Sequence, residues 1–436
     1  MKAVVIGAAS ANFGPVSVYD LLSTVLSSDG ELALVDVRET ELRQMAEFAA
    51  LLARRVGSDA RVTWSTDRTE VLKRADTVIV SAEVDRLAAW EADWEIPHRY
   101  GIGHTLGENR GPAGLSHTLR TAPLVVAIAR DIERMAPDAV MFIMTNPEDR
   151  LAYAVRAYTS VDAIGYCDGL WDFRDHVLGP ALDMRGEDIY VDGAGINHAV
   201  WIRSLIDTRT GSDLYPRLRE AGTHGFQPLG QHLYRRFGLW PHENDEHYGE
   251  YFPYAAHFLG ATGFDFEGYR RLDSEWKERI AGTVAGRIQL DATVDALLRH
   301  HHEVFGDAPP SVYMQGLCGG RPAFVPNANL PNDGKIRGLP DDIIVELPAI
   351  ATPSGVHGIG SIDLPQAILA FLYREGTIQK LSAEAAVEGS RSKALLALEL
   401  DPHVPSPTVA EQLLDDFLRA HGHLIDPTIL ASIAAP

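Results

Sequence analysis

The 436-residue chain has two cysteines, Cys167 and Cys318. Two thiols in so long a chain cannot build a disulfide framework, so a reducing compartment is expected and each cysteine is read as a thiol. No apolar run approaches the roughly 18 residues of a membrane span, and the apolar start at residues 3–6 is too short for a signal sequence. No membrane role and a cytoplasmic location are therefore expected. Positive charge is scarce as well: 39 Lys and Arg face 60 Asp and Glu, a formal charge of −21, and basic residues run no longer than pairs such as Arg270-Arg271. That balance argues against nucleic acid as a partner. Internal repeats and low-complexity linkers are missing too, so any two lobes are expected to share an intimate interface.

What is present is a globular composition, 46% hydrophobic, long enough for two or three domains at roughly one per 150 residues. Ala3-Val4-Val5-Ile6 is a β-branched run closing on Gly7-Ala8-Ala9-Ser10. A helix-compatible stretch follows through Leu21-Leu22, and then Leu32-Ala33-Leu34-Val35 ends at Asp36. This is a βαβ unit. Further buried-strand candidates lie at 62–64, 77–81, 140–144 and 163–166, with a helical pattern over 115–135 between them. The alternation predicts an α/β fold, with a mainly parallel, doubly wound sheet in a Rossmann-like domain over residues 1–170. Beyond that point, strand candidates at 189–191 and 343–347 are separated by long polar and aromatic stretches. A substrate- and metal-binding α+β domain is expected over 171–436, ending in helical Leu and Ala spacing at 365–371 and 383–398.

Four constellations carry chemistry. The turn Gly7-Ala8-Ala9-Ser10-Ala11-Asn12-Phe13 feeds a strand into a helix whose N-terminal amides suit a pyrophosphate, although Ala9 and Asn12 stand where a dinucleotide fingerprint has glycines. Asp36 suits the two hydroxyls of an adenosine ribose and disfavours a 2′-phosphate, which predicts NAD rather than NADP. Asn146, in Thr145-Asn146-Pro147 after a strand, is placed to orient a sugar or nicotinamide ribose, with Pro147 a candidate for a cis peptide. Cys167-Asp168 and Asn197-His198 pair a thiolate with an imidazole, a donor set suited to a borderline transition metal. The polar run from His242 to Tyr251, bracketed by Trp240, Phe252 and Tyr254, has the mixture of rings and acids a sugar site needs. Against these stand plain readings. A lone Cys is usually a buried hydrophobe, His300-His301-His302 look like ordinary amphipathic helix, and Cys318 beside Gly319-Gly320 is most simply a small buried residue.

Taken together these pieces, with Gly107-Glu108-Asn109-Arg110-Gly111-Pro112-Ala113-Gly114, Leu119-Arg120-Thr121, Gly165-Tyr166-Cys167-Asp168, Gly195-Ile196-Asn197-His198 with Trp201, and Pro331-Asn332-Asp333-Gly334 through Val345-Glu346-Leu347-Pro348, resemble the family 4 glycoside hydrolases over nearly the whole chain. Departures are Ala9, and Asn109-Arg110 with Ala113 where that family often has Thr-Thr and Gly. The resemblance implies NAD and a divalent metal, commonly manganese, as cofactors, and places the protein in the lactate and malate dehydrogenase-like superfamily. It implies Cys167 and His198 as metal ligands, and Gly7, Ala9, Ser10, Asn12, Phe13, Asp36 and Asn146 around the dinucleotide. Asn109, Arg110, Asn146, Asn197 and His247 would face the sugar, Asp168 would be the acid, and Asp245 or Tyr251 the base.

The implied reaction departs from the two-carboxylate scheme of most glycosidases. Hydride leaves C3 of the sugar for NAD, the C2 proton so acidified goes to the base, and the C1 group is eliminated. Water then adds and the hydride returns, so the net result is hydrolysis. An α-glucuronide or α-galacturonide is the expected substrate, because Arg110, Arg174 or His104 would hold one carboxylate, whereas a phosphorylated sugar calls for clustered cations. A neutral α-glucoside or α-galactoside comes second and a 6-phosphoglycoside third. A simple NAD-dependent dehydrogenase and a catalytically silent dinucleotide sensor are the competing functions, and a homodimer or homotetramer is the expected assembly.

Overall fold

The computed structural model describes residues 1–28, 30–103, 106–167, 169–221, 226–242, 244–260, 264–306 and 308–431. The β-branched runs become strands β1 (Lys2–Ile6), β2 (Glu31–Val35), β3 (Arg61–Ser65), β4 (Thr77–Val80), β5 (Val140–Ile143) and β6 (Asp162–Gly165). They pair in parallel in the order β3-β2-β1-β4-β5-β6. The order reverses between β1 and β4, and ligands of such sheets bind beyond the carboxyl ends of the strands at that point.

The two-residue period of β1 shows how the layers form. Val4 and Ile6 face a core shared with helices Gly111–Met135, Glu148–Tyr158, Gln366–Glu388, Arg391–Leu400 and Pro407–His421. Ala3 and Val5 face the opposite core, shared with helices Phe13–Ser23, Glu39–Val56, Phe266–Val284, Leu290–Phe305 and Pro310–Cys318. Helices from the second half of the chain therefore cover both faces of the first half's sheet. Burial on both faces explains why β1, β2, β4 and β5 read as apolar runs, whereas β3, expected as a buried strand, is the sheet edge with Arg61 and Trp64 exposed.

The sheet continues with β7 (Ile189–Ile196), β8 (Ala199–Asp207), β9 (Trp240–Pro241), β10 (Ala323–Pro331), β11 (Ile344–Thr352) and β12 (Gly355–Gly358). Beyond β6 the order is β10-β11-β7-β8-β9, all antiparallel, with β12 folded onto β11. Strands at 189–191 and 343–347 were expected, and β7 and β11 occupy those places. β8, β9, β10 and β12 were not. β10 hides its character behind Pro326, Asn327 and Asn329, because its register against β11 shifts between Val325 and Ala328, where a proline costs no ladder bond.

The first turn depends on two missing side chains. Gly7 has φ +86°, and a Cβ there would lie 2.4 Å from the Ser81 carbonyl oxygen. A Cβ on Gly14 would lie 2.2 Å from the Ala8 carbonyl oxygen, so the helix Phe13–Ser23 can sit this close to the loop only without one. Gly14→Ala is expected to cost about 1–3 kcal/mol in urea unfolding. An unchanged midpoint would contradict this close-packing account.

Candidate active site

At the carboxyl end of β1 the amides of Gly7 and Ala8 both donate to the Val35 carbonyl, at 2.9 and 3.0 Å, which folds the loop over β2. The Ala9 amide donates to Asp36 Oδ2 at 3.1 Å. Asp36 also accepts from the Arg38 amide at 3.0 Å and from its guanidinium at 3.1 and 3.3 Å. Ser10 Oγ accepts from the Phe13 amide at 3.4 Å. Asn12 gives the following helix no side-chain cap, and its carbonyl accepts from His300 Nε2 at 3.2 Å. His300, expected as ordinary helix surface, is buried and stacked on Trp276. Sequence reasoning also passed over Gly14, whose signal is a glycine just inside the helix that follows the turn.

The second half of the site is built by strand ends. Cys167 follows β6, and His198 is the second residue of the two-residue turn joining β7 to β8, with φ +61°. A non-glycine residue in that left-handed region is strained, a cost usually carried where side-chain placement matters. Cys167 Sγ lies 3.3 Å from His198 Nε2. A Glu148 carboxylate oxygen joins them, the three donor atoms lying within 4.8 Å of one another. Glu148 opens the helix Glu148–Tyr158, directly after the cis peptide Asn146–Pro147. It was missed in the sequence because an acid at the start of a helix reads as a favourable end charge. Burial holds the His198 pKa well below its usual range, with His247, Arg110 and His242 adding repulsion, so the imidazole is neutral and keeps a lone pair for a cation. The His247 ring lies 4.2 Å from that of His198.

Around this trio, buried polar atoms lack protein partners. Both side-chain polar atoms of Asn109 and of Asn329, both Glu148 oxygens, Asn197 Oδ1 and Glu250 Oε2 are in this state. Native interiors rarely leave such groups unpaired, and a cluster of them suits a polyhydroxylated ligand. Their positions are fixed from behind. Glu346 accepts from Asn197 Nδ2 at 3.3 Å and from Asn327 Nδ2 at 2.9 Å, and Asn327 Nδ2 also donates to the Cys167 carbonyl at 3.1 Å. Glu250 Oε1 accepts from the amides of Glu108 and Asn109 at 2.7 and 3.2 Å, holding the loop that carries Asn109.

Other expected residues are engaged structurally. Arg110, 1% exposed, pairs with both oxygens of Asp149 at 3.0 and 2.5 Å and donates to the Asn197 carbonyl at 3.4 Å. Tyr251 donates its hydroxyl to that same carbonyl, with the Arg110 guanidinium 5.3 Å from its ring centroid. Burial pushes the Tyr251 pKa well above its usual value, against the pull of Arg110. Asp245 accepts from the amides of Leu229 and Gly230, both at 2.6 Å, and so caps the helix Pro228–Phe237. Burial raises its pKa, and those amides oppose the rise. Arg174 pairs with Asp175 at 2.7 Å and lies over Trp171, 4.0 Å from the ring centroid. Asp168 and His104 lie outside the described residues.

Removing one partner of the buried Arg110–Asp149 pair strands the other charge. Arg110→Met is expected to lower stability by about 3–5 kcal/mol in chemical denaturation, with Arg110→Met/Asp149→Leu recovering most of it. A neutral single substitution would show that the pair does not hold the site together.

Residues 2–178 match the family model described as family 4 glycosyl hydrolase, and residues 193–404 match the model of that family's C-terminal domain. An α-glucosidase of Erwinia rhapontici is 28% identical, the match covering 92% of this chain and 93% of that protein. An α-galactosidase of Bacillus subtilis is also 28% identical, covering 97% and 98%. An α-galacturonidase of the same organism is 27% identical, covering 82% and 84%. Among solved structures, the lplD protein of Bacillus subtilis superposes with a TM-score of 0.82 at 25% identity, covering 96% of this chain and 99% of that one. The 6-phospho-β-glucosidase of Thermotoga maritima, solved with manganese, NAD+ and glucose-6-phosphate, superposes with a TM-score of 0.81 at 22% identity, covering 98% and 99%. The chain belongs to the family 4 glycosyl hydrolases.

Proposed function

We propose that this chain hydrolyses an α-glycoside with the help of NAD and one divalent cation, manganese foremost. The observation that carries the reading is the 3.3 Å approach of Cys167 Sγ to His198 Nε2, at the carboxyl edge of a sheet whose order reverses beside a dinucleotide-type turn. The residues fit both groups. A neutral imidazole, a thiol and unpartnered carboxylate oxygens form a donor set for a borderline cation, and the Gly7 turn delivers the start of a helix that Asn12 leaves without a side-chain cap. When bound, NAD supplies reversible hydride acceptance at C3 of the sugar, and the cation polarises the C2 and C3 oxygens so that the C2 proton becomes acidic.

The protein's own part is binding, orientation and proton handling. The helix Phe13–Ser23 receives the pyrophosphate at its N-terminal amides. Asp36 takes the adenosine ribose hydroxyls once the half-exposed Arg38 guanidinium turns outward, which favours NAD over NADP. Asn109, Asn146 and Asn197 orient the sugar hydroxyls, His247 lines the same side as His198, and Asp168 protonates the leaving oxygen. Of the two expected bases, Tyr251 is better placed. Its hydroxyl donates to the carbonyl of Asn197, next to His198, and the Arg110 guanidinium over its ring offsets part of the burial that raises its pKa, while both Asp245 oxygens are committed to a helix cap.

The ion pairs bear on the sugar. Of Arg110, Arg174 and His104, the cations expected to receive a uronate carboxylate, the two arginines are each bound to an acid, and His104 lies outside the described residues. Glu148 and Glu250 add carboxyl groups to the same surroundings. This supports a neutral α-glucoside or α-galactoside over an α-uronide, although the relatives include an α-galacturonidase beside the α-glucosidase and α-galactosidase. With NAD, Mn²⁺ and reductant present, kcat/KM on matched α-glucoside, α-galactoside, α-glucuronide and α-galacturonide is expected to favour a neutral sugar by at least about tenfold, 1.4 kcal/mol in transition-state binding. No net NADH should accumulate. Preference for a uronide would reverse the substrate assignment, and NADH accumulating with turnover would point to a dehydrogenase.

A further inference from the structure

Glu148 poses a physical problem in this site. Its side chain is buried and neither carboxylate oxygen has a hydrogen-bond partner. Its neighbour Asp149 takes both arms of Arg110 and the Gln379 amide as well, so those groups are spent on Asp149. Glu346, another buried acid here, is served by Asn197, Asn327 and, at 3.7 Å, His242. An isolated buried carboxylate costs several kcal/mol in its ionised form unless something of opposite charge meets it.

The space for Glu148 is also specifically made. A Cβ on Gly165 would stand 3.2 Å from Glu148 Cγ and 2.8 Å from Asn329 Cβ, so the absence of a side chain at the end of β6 lets the carboxyl approach Cys167, two residues further on. The resulting trio has its donor atoms within 4.8 Å of one another. Donors on one cation stand at most about twice the bond length apart, ~4–4.6 Å for bonds of about 2.0–2.3 Å, so a small rotation of one side chain brings the trio onto a single ion.

We infer that Glu148 is a third protein ligand of the cation held by Cys167 and His198. The inference rests on the reading that those two residues bind the cation, and adds to it. Thiolate and carboxylate together neutralise a dication, leaving the imidazole uncharged, and the carboxylate makes the donor set harder, which suits Mn²⁺. Three protein donors hold the ion before sugar arrives, with the remaining positions open to substrate oxygens.

The test is Mn²⁺ binding to the chelator-stripped full chain, without NAD or sugar, read by equilibrium dialysis and by loss of the free-Mn²⁺ EPR signal. Wild type should bind one Mn²⁺ per chain, and Glu148→Gln should bind at least about tenfold more weakly. Glu148→Asp, which keeps the charge and shortens the reach, should fall between them, and it carries the test if the Gln variant unfolds in thermal melts. Cys167→Ser, measured in parallel, separates the two claims. If Glu148→Gln binds as tightly as wild type while Cys167→Ser loses the ion, the third ligand is wrong and the two-residue site stands. Retention of Mn²⁺ by Cys167→Ser as well would overturn both.

Discussion

The site depends on how narrowly one sheet changes direction. The parallel half meets the antiparallel half through a single register pair, Gly165 against Asn329, and two strands further on β11 meets β7 through Glu346 against Gly195. In each junction a glycine faces a polar side chain. At the first, the missing Cβ of Gly165 makes room for Asn329, whereas the missing Cβ of Gly195 makes room for Ala199 and Val200 of β8. Cys167 leaves the sheet just past the first junction and His198 just past the second, which brings residues 31 apart in sequence to 3.3 Å. Shifting either junction by one residue would send the intended side chains to the opposite face.

Buried charge ties together the segments around the two junctions. Asp149 accepts from Arg110 and Gln379, and Gln379 also bonds the amide and carbonyl of Ile344 at the start of β11. One acid thus joins the Asn109-Arg110 loop, the helix Glu148–Tyr158 and the second half of the chain. Desolvating these groups gains little net stability, and the return is geometric, since each group has satisfied partners in one arrangement only. Arg110 is consequently a strut between its own loop, the helix Glu148–Tyr158 and the turn at Asn197.

The legible parts of the sequence were those whose physics is local. β1 to β6 are short apolar runs ended by turn residues, and the Asp36, Asn146 and Cys167 positions follow from being the residues just after strands. His198 was legible because it sits beside Asn197 after a glycine-rich strand. The parts that stayed hidden depend on neighbours distant in sequence. β8 and β10 are interrupted by Arg203, which pairs with Asp192 of β7, by Pro326 in the register shift, and by Asn329 opposite Gly165 and Glu346. Glu148 looks like a helix-start acid until Gly165 and Cys167 are placed beside it. His300 matters because the helix Leu290–Phe305 packs against the first turn, and Gly14 because its helix lies against the Ala8 carbonyl. Asp245 was read as chemistry because an acid among aromatics suits a sugar site, while its carboxylate serves the amides of a helix 15 and 16 residues earlier.

The central claim is that the two sheet junctions create one cation site between Cys167 and His198. Anomalous diffraction from crystals grown with Mn²⁺ and reductant, collected on both sides of the manganese edge, tests it directly. The account predicts one strong anomalous peak per chain within bonding distance of Cys167 Sγ and His198 Nε2. A fully occupied peak elsewhere in the chain, with the thiol and imidazole still in mutual contact, would contradict it.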